Sequence, residues 1–406
     1  MRIKFNLSAT FFLMIVPNLC VLETIQWIYD SNNHLHWAFD CDFNENNLKN
    51  IQIQGEDCGP ACASTPLCTH FTWSDYNSGT CWMKQGKVSK DNVVLKPNSG
   101  LVCGVMVKKD DNTTSSGMFW GVNYDAMHNN EYPLHGGSVN TEALRQAIDR
   151  DFSQISKYFN HVRTFYSSFY NIPVTPSAAK HGVKLYLGVY MTNENWYKDQ
   201  VDAAVEAVRK YPGTVSAVLV GNENLRPNGP YSAEDIISRV NNIRSRIKTE
   251  TGMNIAVGTV QRINEWLNQD ITSDTFRLAS ACDIIGVNIY PFFGNYDYSN
   301  PIRPLDEQWN AMISRYGSEK IRLTETGFPT SGGYSPSGVQ ANLQTAINYF
   351  REVTQWKPRG KGPAFWFAFH DRRADDNSVP GEYEKHFGLV NSDGSIKTNG
   401  FPPLLN

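Results

Sequence analysis

Apolar runs alternate with amphipathic stretches throughout residues 117–406. Eight of these runs are nearly continuously apolar, as strands covered on both faces are. They span residues 118–124, 161–166, 183–191, 215–223, 254–261, 283–292, 320–328 and 363–371. The pattern predicts eight strands of a parallel sheet.

Helical periodicity fills the segments between these runs. In residues 141–159, Leu144, Ile148 and Phe152 recur at a spacing of four, which places them on one helix face. Ser232 precedes another amphipathic stretch and is a suitable N-cap. Further helices are predicted at 199–211, 232–250 and 341–356.

Repetition of strand and helix defines the fold class. Eight β/α units in residues 117–406 predict an α/β protein with a (β/α)8 TIM barrel. A doubly wound open sheet is the alternative. That fold usually carries a glycine-rich phosphate loop after its first strand, and the sequence lacks such a loop there.

The segment before the barrel is rich in cysteine. Of the eight cysteines in the chain, six cluster in this short region. They are Cys41, Cys58, Cys62, Cys68, Cys81 and Cys103. In an exported chain this clustering predicts disulfides, whereas zinc binding is the weaker alternative because no histidine stands at ligand spacing. The other two are Cys20, which lies close to the N-terminus, and Cys282, which is expected to be a buried, inert thiol.

The first twenty residues resemble an export signal. Arg2 and Lys4 precede the apolar segment 9–17, which is too short to span a bilayer. We expect residues 1–20 to be a signal peptide, with a signal anchor as the alternative. The protein is then secreted, either extracellular or in the cell wall, without a membrane span.

A polar stretch separates the cysteine-rich segment from the barrel. Residues 108–116 (KKDDNTTSS) show no apolar periodicity and are interpreted as a linker. Asn112 begins an N-glycosylation sequon within it. The predicted domains are therefore 21–107 and 117–406.

The cysteine-rich segment resembles a PAN/apple domain. Cys58, Cys62 and Cys68 show the spacing C-x3-C-x5-C, followed by THFTW (69–73) and CWMK (81–84). The resemblance implies a small α+β domain that binds a protein or glycan ligand. It also implies the bridges Cys41–Cys103, Cys58–Cys81 and Cys62–Cys68. The sequence alone leaves the other connectivities open.

Two glutamates stand at the ends of apolar runs. Glu223 closes the fourth run in VGNE, and Glu325 closes the seventh in TETGFPTSG. Active sites of β/α barrels lie at the C-terminal ends of the strands, so both side chains should reach one cleft. A close pair of carboxyl groups, one protonated and one ionised, is the machinery of a retaining glycosidase.

Five motifs occur in an order that resembles glycoside hydrolase family 17, the β-1,3-glucanase family. They are WGVNY, VGNE, NIYPFF, TETGFPTSG and the closing HFGLVNSDGSIK. The resemblance implies Glu223 as acid/base, Glu325 as nucleophile and Asn222 as a ligand of the sugar 2-hydroxyl. It implies β-1,3-glucan as the substrate.

Further site residues are predicted at other strand ends. Arg163 is a candidate orienter of Glu325, with a structural ion pair as its alternative. Tyr290 is a candidate to bond the nucleophile or stack on sugar. The other candidates for substrate binding are Tyr124, Phe328, Trp366 and Asp371, with packing as the main alternative for the aromatics. Phe328 stands where the family often has tryptophan, and FHDRRADD (369–376) departs from the family pattern around Asp371.

Composition narrows the function further. A formal net charge of −3 gives no indication of a nucleic-acid partner. The chain lacks H-E-x-x-H, Walker and G-x-S-x-G motifs, and two-carboxylate chemistry requires no metal or organic cofactor. We interpret the protein as a monomeric retaining endo-β-1,3-glucanase that forms a covalent glucosyl-enzyme. The alternatives are a β-1,3-glucan transglucosylase and a non-catalytic glucan-binding or adhesion protein.

Overall fold

The structure is a computed structural model of the 406-residue chain. It describes residues 25, 27–30, 35–44, 47–65, 67–86, 88, 90–106, 120–294, 296–356 and 362–405. Their contacts form two compact units, one on each side of residues 107–119. The predicted leader (1–20), Cys20, the predicted linker (108–116) and the Asn112 sequon lie outside the described residues and stay predictions.

The first unit combines an antiparallel sheet with one helix. Its strands are β1 (Ile28–Asp30), β2 (Leu35–Phe39), β3 (Cys41–Asp42), β4 (Asn47–Gln52), β5 (His70–Ser74), β6 (Thr80–Lys84), β7 (Val94–Leu95) and β8 (Val102–Met106). Six of them pair in the order β1-β2-β8-β5-β6-β4, and β3 pairs with β7. Helix α1 (Gly55–Ala63) packs its buried cysteines against Phe71 of β5.

Three disulfides hold this unit together. They are Cys41–Cys103, Cys58–Cys81 and Cys62–Cys68, which are the pairs implied by the apple-like resemblance. The first joins β3 to β8, and the second joins α1 to β6. Such bridges stabilise mainly by restricting the unfolded chain. The predicted disulfide framework is confirmed, whereas the apple-family assignment stays a prediction.

The second unit is a barrel of eight parallel strands. These strands are β9 (Trp120–Tyr124), β10 (His161–Thr164), β13 (Lys184–Val189), β14 (Val215–Asn222), β15 (Ala256–Arg262), β16 (Ile284–Asn288), β17 (Ile321–Glu325) and β18 (Ala364–Trp366). The short strands β11 (Ser168–Phe169) and β12 (Ile172–Pro173) form a hairpin outside the barrel. The pairing runs in the order β17-β16-β15-β14-β13-β10-β9-β18, and a bridge from Thr326 to Trp366 nearly closes the ring. The predicted barrel is confirmed, and the open sheet is excluded.

Helices surround this barrel. They are α2 (Thr141–Ile155), α3 (Thr175–Lys180), α4 (Tyr197–Lys210), α5 (Ala233–Thr251), α6 (Ile263–Leu267), α7 (Thr272–Ala281), α8 (Arg303–Tyr316) and α9 (Leu343–Gln355). Helix α5 begins as predicted, because the Ser232 side chain accepts from the Asp235 N–H and the Asp235 carboxylate accepts from the Ser232 N–H. Within the described ranges, no helix combines the length and apolar character that crossing a bilayer requires.

Several barrel strands end earlier than their apolar runs. The sixth run was expected to continue to 292, yet β16 ends at Asn288 and a 3-10 turn follows at Pro291–Phe293. Phe292 is fully buried in this turn, so its apolar character reflects a packed loop. Periodicity alone does not distinguish such a loop from a strand. The residues that follow the strand ends line a cleft at this end of the barrel.

Candidate active site

A cleft of about 760 Å³ opens at the C-terminal ends of the barrel strands. Its walls include both predicted glutamates, Glu223 and Glu325. The same cleft contains Asn222, Tyr290 and Asp371. The structure therefore brings five of the predicted site residues to one depression, where active sites of this fold lie.

Local backbone geometry turns Glu223 into the cleft. The pairing of β14 with β15 is irregular between Leu219 and Asn222, and Glu223 follows with a left-handed φ of 51°. A left-handed conformation is uncommon for a residue other than glycine and is associated with functional sites. The Glu223 N–H still bonds the carbonyl oxygen of Val260 at 2.9 Å, so the turn is held by the neighbouring strand.

The Glu223 carboxyl group accepts two hydrogen bonds. Arg262 at the end of β15 donates Nε to Oε2 at 2.9 Å, and Asn288 at the end of β16 donates Nδ2 to Oε1 at 2.8 Å. Burial and the nearby Glu325 charge raise the pKa of Glu223 to about 7, against the opposing effect of Arg262. Glu223 is therefore suited to carry a proton at mildly acidic pH.

Glu325 also has an arginine and a neutral hydrogen-bond donor as neighbours. The fully buried guanidinium of Arg163 forms an ion pair with Oε1. Tyr290 donates its hydroxyl to Oε2 at 2.6 Å. Burial and the Glu325 charge raise the pKa of Tyr290 well above its usual range, so this hydroxyl remains a donor. Glu325 is thus held between a fully buried cation and a hydroxyl donor.

Arg163 also links the two glutamate-bearing strands. Its Nη2 donates to Oδ1 of Asn222 at 2.7 Å, and Nη1 donates to the carbonyl oxygen of Thr324 at 3.2 Å. Asn288 donates to the same Asn222 oxygen at 3.3 Å, and its own oxygen accepts from the Thr324 hydroxyl at 2.8 Å. Arg163 and Asn288 together fix the positions of both carboxyl groups.

Sequence reasoning missed two residues that contact Glu223. Arg262 directly follows the fifth apolar run (254–261), and this position was an available signal, because a polar residue at the end of a run also singled out Glu223. Asn288 lies inside the sixth run (283–292) and becomes a strand end only in the structure, where β16 stops. Neither residue belongs to a motif whose chemistry could be stated from spacing alone.

Three predicted sugar-binding aromatics lie in the core and not in the cleft. Tyr124, Phe328 and Trp366 are at most 1% exposed. The Tyr124 hydroxyl donates to Asp151 on helix α2 at 2.7 Å, and Trp366 packs edge-on against Phe350 of helix α9 at 5.0 Å. Tyr124 and Trp366 point from the barrel towards the helices, because neighbouring residues in a strand face opposite sides. Phe328 lies in the loop after β17 and packs on Phe292 at 5.1 Å. In the structure all three side chains are therefore packing residues and do not line the cleft.

Asp371 lies at the edge of the cleft, but its carboxylate contacts residues other than Glu223. Its Oδ1 accepts from Lys397 Nζ at 2.7 Å and from the Gly388 N–H at 2.8 Å. His386 lies 3.6 Å from its other oxygen. These contacts tie the segment after β18 to the end of the chain, and none of them reaches Glu223. Assistance to the acid by Asp371 is therefore not supported.

One buried cluster has the residue types of a metal site. His128, Asp151 and His370 place potential ligand atoms within 4.8 Å of one another. The two imidazoles, however, are stacked with centroids 3.7 Å apart and planes 9° apart. An imidazole binds a metal in the plane of its ring, so one ion cannot lie in both of these parallel planes. As arranged, the cluster does not fit a shared metal ion.

We expect Tyr290→Phe to lower kcat by about ten- to hundredfold on laminarin, a β-1,3-glucan of the class that the sequence resemblance implies, since the change removes a hydrogen bond to a carboxylate. The ring and its packing on Phe387 at 5.7 Å are retained, so the melting temperature should change little. Tyr383→Phe is the matched control, because it removes a hydroxyl from another tyrosine of the same group of aromatic rings. The Tyr383 ring packs on Phe293 with centroids 5.9 Å apart. Equal kcat for Tyr290→Phe and the wild type would mean that Tyr290 contributes packing alone.

Comparison with protein families connects this cleft to known enzymes. The model of the BtgE/BtgC glycoside hydrolase domain matches residues 121–388, which is most of the barrel unit. A glucan 1,3-beta-glucosidase of Arthroderma benhamiae is 23% identical over 266 residues, covering 62% of this chain and 83% of the relative. A probable glucan endo-1,3-beta-glucosidase of Aspergillus fumigatus is 26% identical over 242 residues, covering 55% of this chain and 51% of the relative. The chain thus spans only about half the length of some relatives.

Solved structures share the barrel fold. A glycoside hydrolase family 17 beta-1,3-glucanosyltransferase from Rhizomucor miehei matches with a TM-score of 0.53 and 20% identity, over 70% of this chain and 96% of that one. An endo-laminarinase from Formosa matches with a TM-score of 0.54 and 17% identity, over 69% of this chain and 84% of that one. At these identities the likeness concerns the fold.

Proposed function

Since the chain belongs to the BtgE/BtgC glycoside hydrolase domain family and is a glycoside hydrolase, we propose that it cleaves β-1,3-glucan internally with retention of configuration. The observation that carries this proposal is the contrast between the two carboxyl groups. Burial and the Glu325 charge raise the pKa of Glu223 to about 7 although it pairs with the partly exposed Arg262, whereas Glu325 pairs with the fully buried Arg163. Glucan-directed relatives support the choice of substrate.

In the first step Glu325 acts as the nucleophile. Its carboxylate oxygen attacks the anomeric carbon while the bond from that carbon to the leaving-group oxygen breaks. Glu223 gives its proton to this oxygen, so the leaving sugar departs neutral. The product is a glucosyl ester of Glu325 and an ionised Glu223.

In the second step Glu223 acts as the base. It takes a proton from water as the water oxygen attacks the anomeric carbon, and the ester bond to Glu325 breaks. Both carboxyl groups return to their starting states. Two inversions at the same carbon give net retention.

The surrounding residues act on these groups. Arg163 and Tyr290 stabilise the Glu325 carboxylate. Asn222 lies beside the acid, in contact with Arg163 and Asn288, where it can reach a sugar hydroxyl. Arg262 and Asn288 hold the Glu223 carboxyl group in position through hydrogen bonds to its two oxygens.

The remaining assignments extend the proposal to the whole chain. Residues 1–20 serve as a signal peptide, 21–107 as an apple-like module for a protein or glycan, 108–116 as a linker with a glycan at Asn112, and 117–406 as the catalytic domain. The protein acts as a secreted monomer outside the cell or in its wall. Disulfides Cys41–Cys103, Cys58–Cys81 and Cys62–Cys68 support export, because they persist in oxidising compartments.

Proton NMR of a fresh laminarin digest tests the proposal. Retaining glycosidases hold their two carboxyl groups about 5 Å apart, which leaves no room for a water molecule beneath the sugar. If Glu223 and Glu325 act in this way, the β-anomer should form first. An α-anomer appearing first would mean inversion and would overturn the assigned chemistry. Absence of any cleavage would favour a non-catalytic glucan-binding protein.

A further inference from the structure

The first unit carries a tryptophan that belongs to neither of its apolar cores. Trp82 lies in the middle of β6, and its side chain is partly exposed. One core packs between the sheet and α1 around Phe71, and the other lies around Phe43 and the Cys41–Cys103 bridge. Among the described residues of the unit, Trp82 is part of neither core and packs against neither. Core packing therefore does not explain this indole.

Strand pairing shows which face of the sheet Trp82 occupies. It lies opposite Thr72 of β5 and Asn50 of β4, and directly paired residues point to the same face. Thr72 in turn lies opposite Cys103, so this is the face of the second core. The Thr72 hydroxyl donates to Asp42 at 2.6 Å, and Asp42 belongs to β3, which covers that part of the sheet. Beyond Thr72 the face is open to solvent, from Trp82 to the exposed Asn50 on the edge strand β4.

A tyrosine forms a second wall beside the Trp82 ring. Tyr76 lies in the turn between β5 and β6 and is 59% exposed. Its ring centroid is 6.3 Å from that of Trp82, and the two planes are inclined by 41°. The Thr80 hydroxyl and the Gly79 N–H both donate to the Tyr76 carbonyl oxygen, at 2.6 and 3.1 Å. The Trp82 Nε1–H donates to the Ser74 hydroxyl at 3.2 Å. Both residues are therefore held in place without a ligand, so binding would require little further ordering.

Neutral polar side chains lie next to these rings. Asn50 and Gln52 of β4 are exposed, and they point to the face of Trp82 because they lie opposite Trp82 and Thr80. Neither amide side chain bonds another residue within the part of the chain that the structure describes. Each amide offers one acceptor and two donors. A pyranose ring presents C–H groups that can lie on an aromatic face and hydroxyl groups that can bond amides, so this face has the chemistry that binds a sugar.

The charges near this face favour a neutral ligand. Lys84, two residues after Trp82, is buried and paired with Asp42 at 3.2 Å. Lys49 lies opposite Met83 of the α1 core and therefore points to the other face. Asp75 adds an exposed carboxylate at the turn, where it can accept from hydroxyl groups. A neutral polymer therefore fits this face better than a polyanion or a polycation.

We propose that Trp82, Tyr76, Asn50 and Gln52 form a binding site for a β-1,3-glucan chain in the first unit, separate from the catalytic cleft of the barrel. We call it the Trp82 site. The choice of polymer rests on the proposed function, because a site joined to a glucanase barrel in one chain would hold the enzyme on its insoluble substrate. The site itself rests on the geometry of the first unit alone.

Adsorption of the full-length protein to curdlan, an insoluble β-1,3-glucan, tests this inference. Glu325→Gln is the parent, so that the polymer is not consumed. A protein attached to a polymer through two sites binds more tightly than through either one. Trp82→Ala in this parent should therefore weaken the partition onto curdlan by about tenfold. With Glu325 intact, Trp82→Ala should leave kcat and KM for soluble laminaripentaose within about twofold of wild type, since the Trp82 site lies outside the cleft.

Three further variants make the result specific. Asn50→Ala changes an exposed side chain, so the unit should stay folded and the partition should weaken by about threefold. Trp82→Phe keeps an aromatic face and should retain most of the adsorption. Phe39→Ala is the matched control. Phe39 is 60% exposed and packs on Trp37, which contacts the α1 core on the opposite face of the sheet, so its loss should leave adsorption unchanged.

Unchanged adsorption in both Trp82→Ala and Asn50→Ala, or no adsorption of the parent to curdlan, would overturn the inference. Adsorption to chitin or mannan alone would overturn the choice of polymer. Sedimentation velocity examines another occupant, because dimerisation that Trp82→Ala abolishes would mean that a second copy covers this face, and the inference would be wrong. Failure of the proposed function would be visible separately, as a wild-type protein that leaves laminarin intact while its adsorption to curdlan still depends on Trp82.

Discussion

Glu325→Gln is expected to lower turnover of laminarin by about 10⁴-fold or more, because no glucosyl ester can form on an amide. Gln keeps the shape of the side chain, and its single amide oxygen can accept from Arg163 while its NH2 group donates to the Tyr290 hydroxyl. The fold should therefore persist, as measured by circular dichroism. The melting temperature should fall, because the buried Arg163 loses its countercharge.

Chemical rescue distinguishes the nucleophile from the acid. In Glu325→Ala, azide can enter the vacated space and attack an activated glucosyl donor from the same face, which gives an α-glucosyl azide. In Glu223→Ala, the ester on Glu325 still forms from an activated donor, and azide then gives a β-glucosyl azide. The opposite pair of anomers, or wild-type laminarin cleavage by Glu325→Gln, would contradict the roles proposed here.

The fold, the place of the cleft and the contacts of Arg163 and Tyr290 with Glu325 were predicted from sequence, whereas the contacts of Glu223 were not. Buried parallel strands leave long apolar runs, so eight strands could be counted, and Glu223 and Glu325 stood out as charges at their ends. The sequence indicates less clearly whether an apolar side chain faces the cleft or packs against the helices. Tyr124 and Trp366 are aromatic residues at strand ends, and both face the helices.

Cross-strand contacts depend on register, which a single sequence does not specify. Arg262 and Asn288 reach Glu223 because β14, β15 and β16 end at nearly the same height. The height at which β14 ends is set by its irregular pairing with β15 after Leu219 and by the left-handed backbone of Glu223. Tyr166, Tyr190 and Trp196 likewise stack on one another from loops after two different strands, and no motif connects them.

The proton on Glu223 should set the alkaline limit of activity. Its pKa is raised to about 7 by burial and by Glu325, and the acid must be protonated to serve the leaving group. We therefore expect kcat/KM on laminarin to fall as the pH rises through about 7. On a 2,4-dinitrophenyl donor, which leaves without protonation, this fall should be absent.

Arg262 offers a way to move this limit in a chosen direction. Its Nε lies 2.9 Å from Glu223, and its attraction for the carboxylate opposes the rise in the Glu223 pKa. Arg262→Gln should therefore shift the alkaline limit to higher pH, by up to about one unit because the Arg262 side chain is partly exposed.

Glu265→Gln should act in the opposite sense. Glu265 accepts from Arg262 Nη1 at 3.2 Å, and its negative charge offsets that of the guanidinium. Without it, Arg262 attracts the Glu223 carboxylate more strongly, the Glu223 pKa falls, and the alkaline limit moves to lower pH. A purely structural role for the pair would lower kcat/KM equally at every pH and leave the limit in place. Opposite shifts in the two variants, seen on laminarin but not on the dinitrophenyl donor, are the result that identifies Arg262 as the residue that positions and tunes the acid.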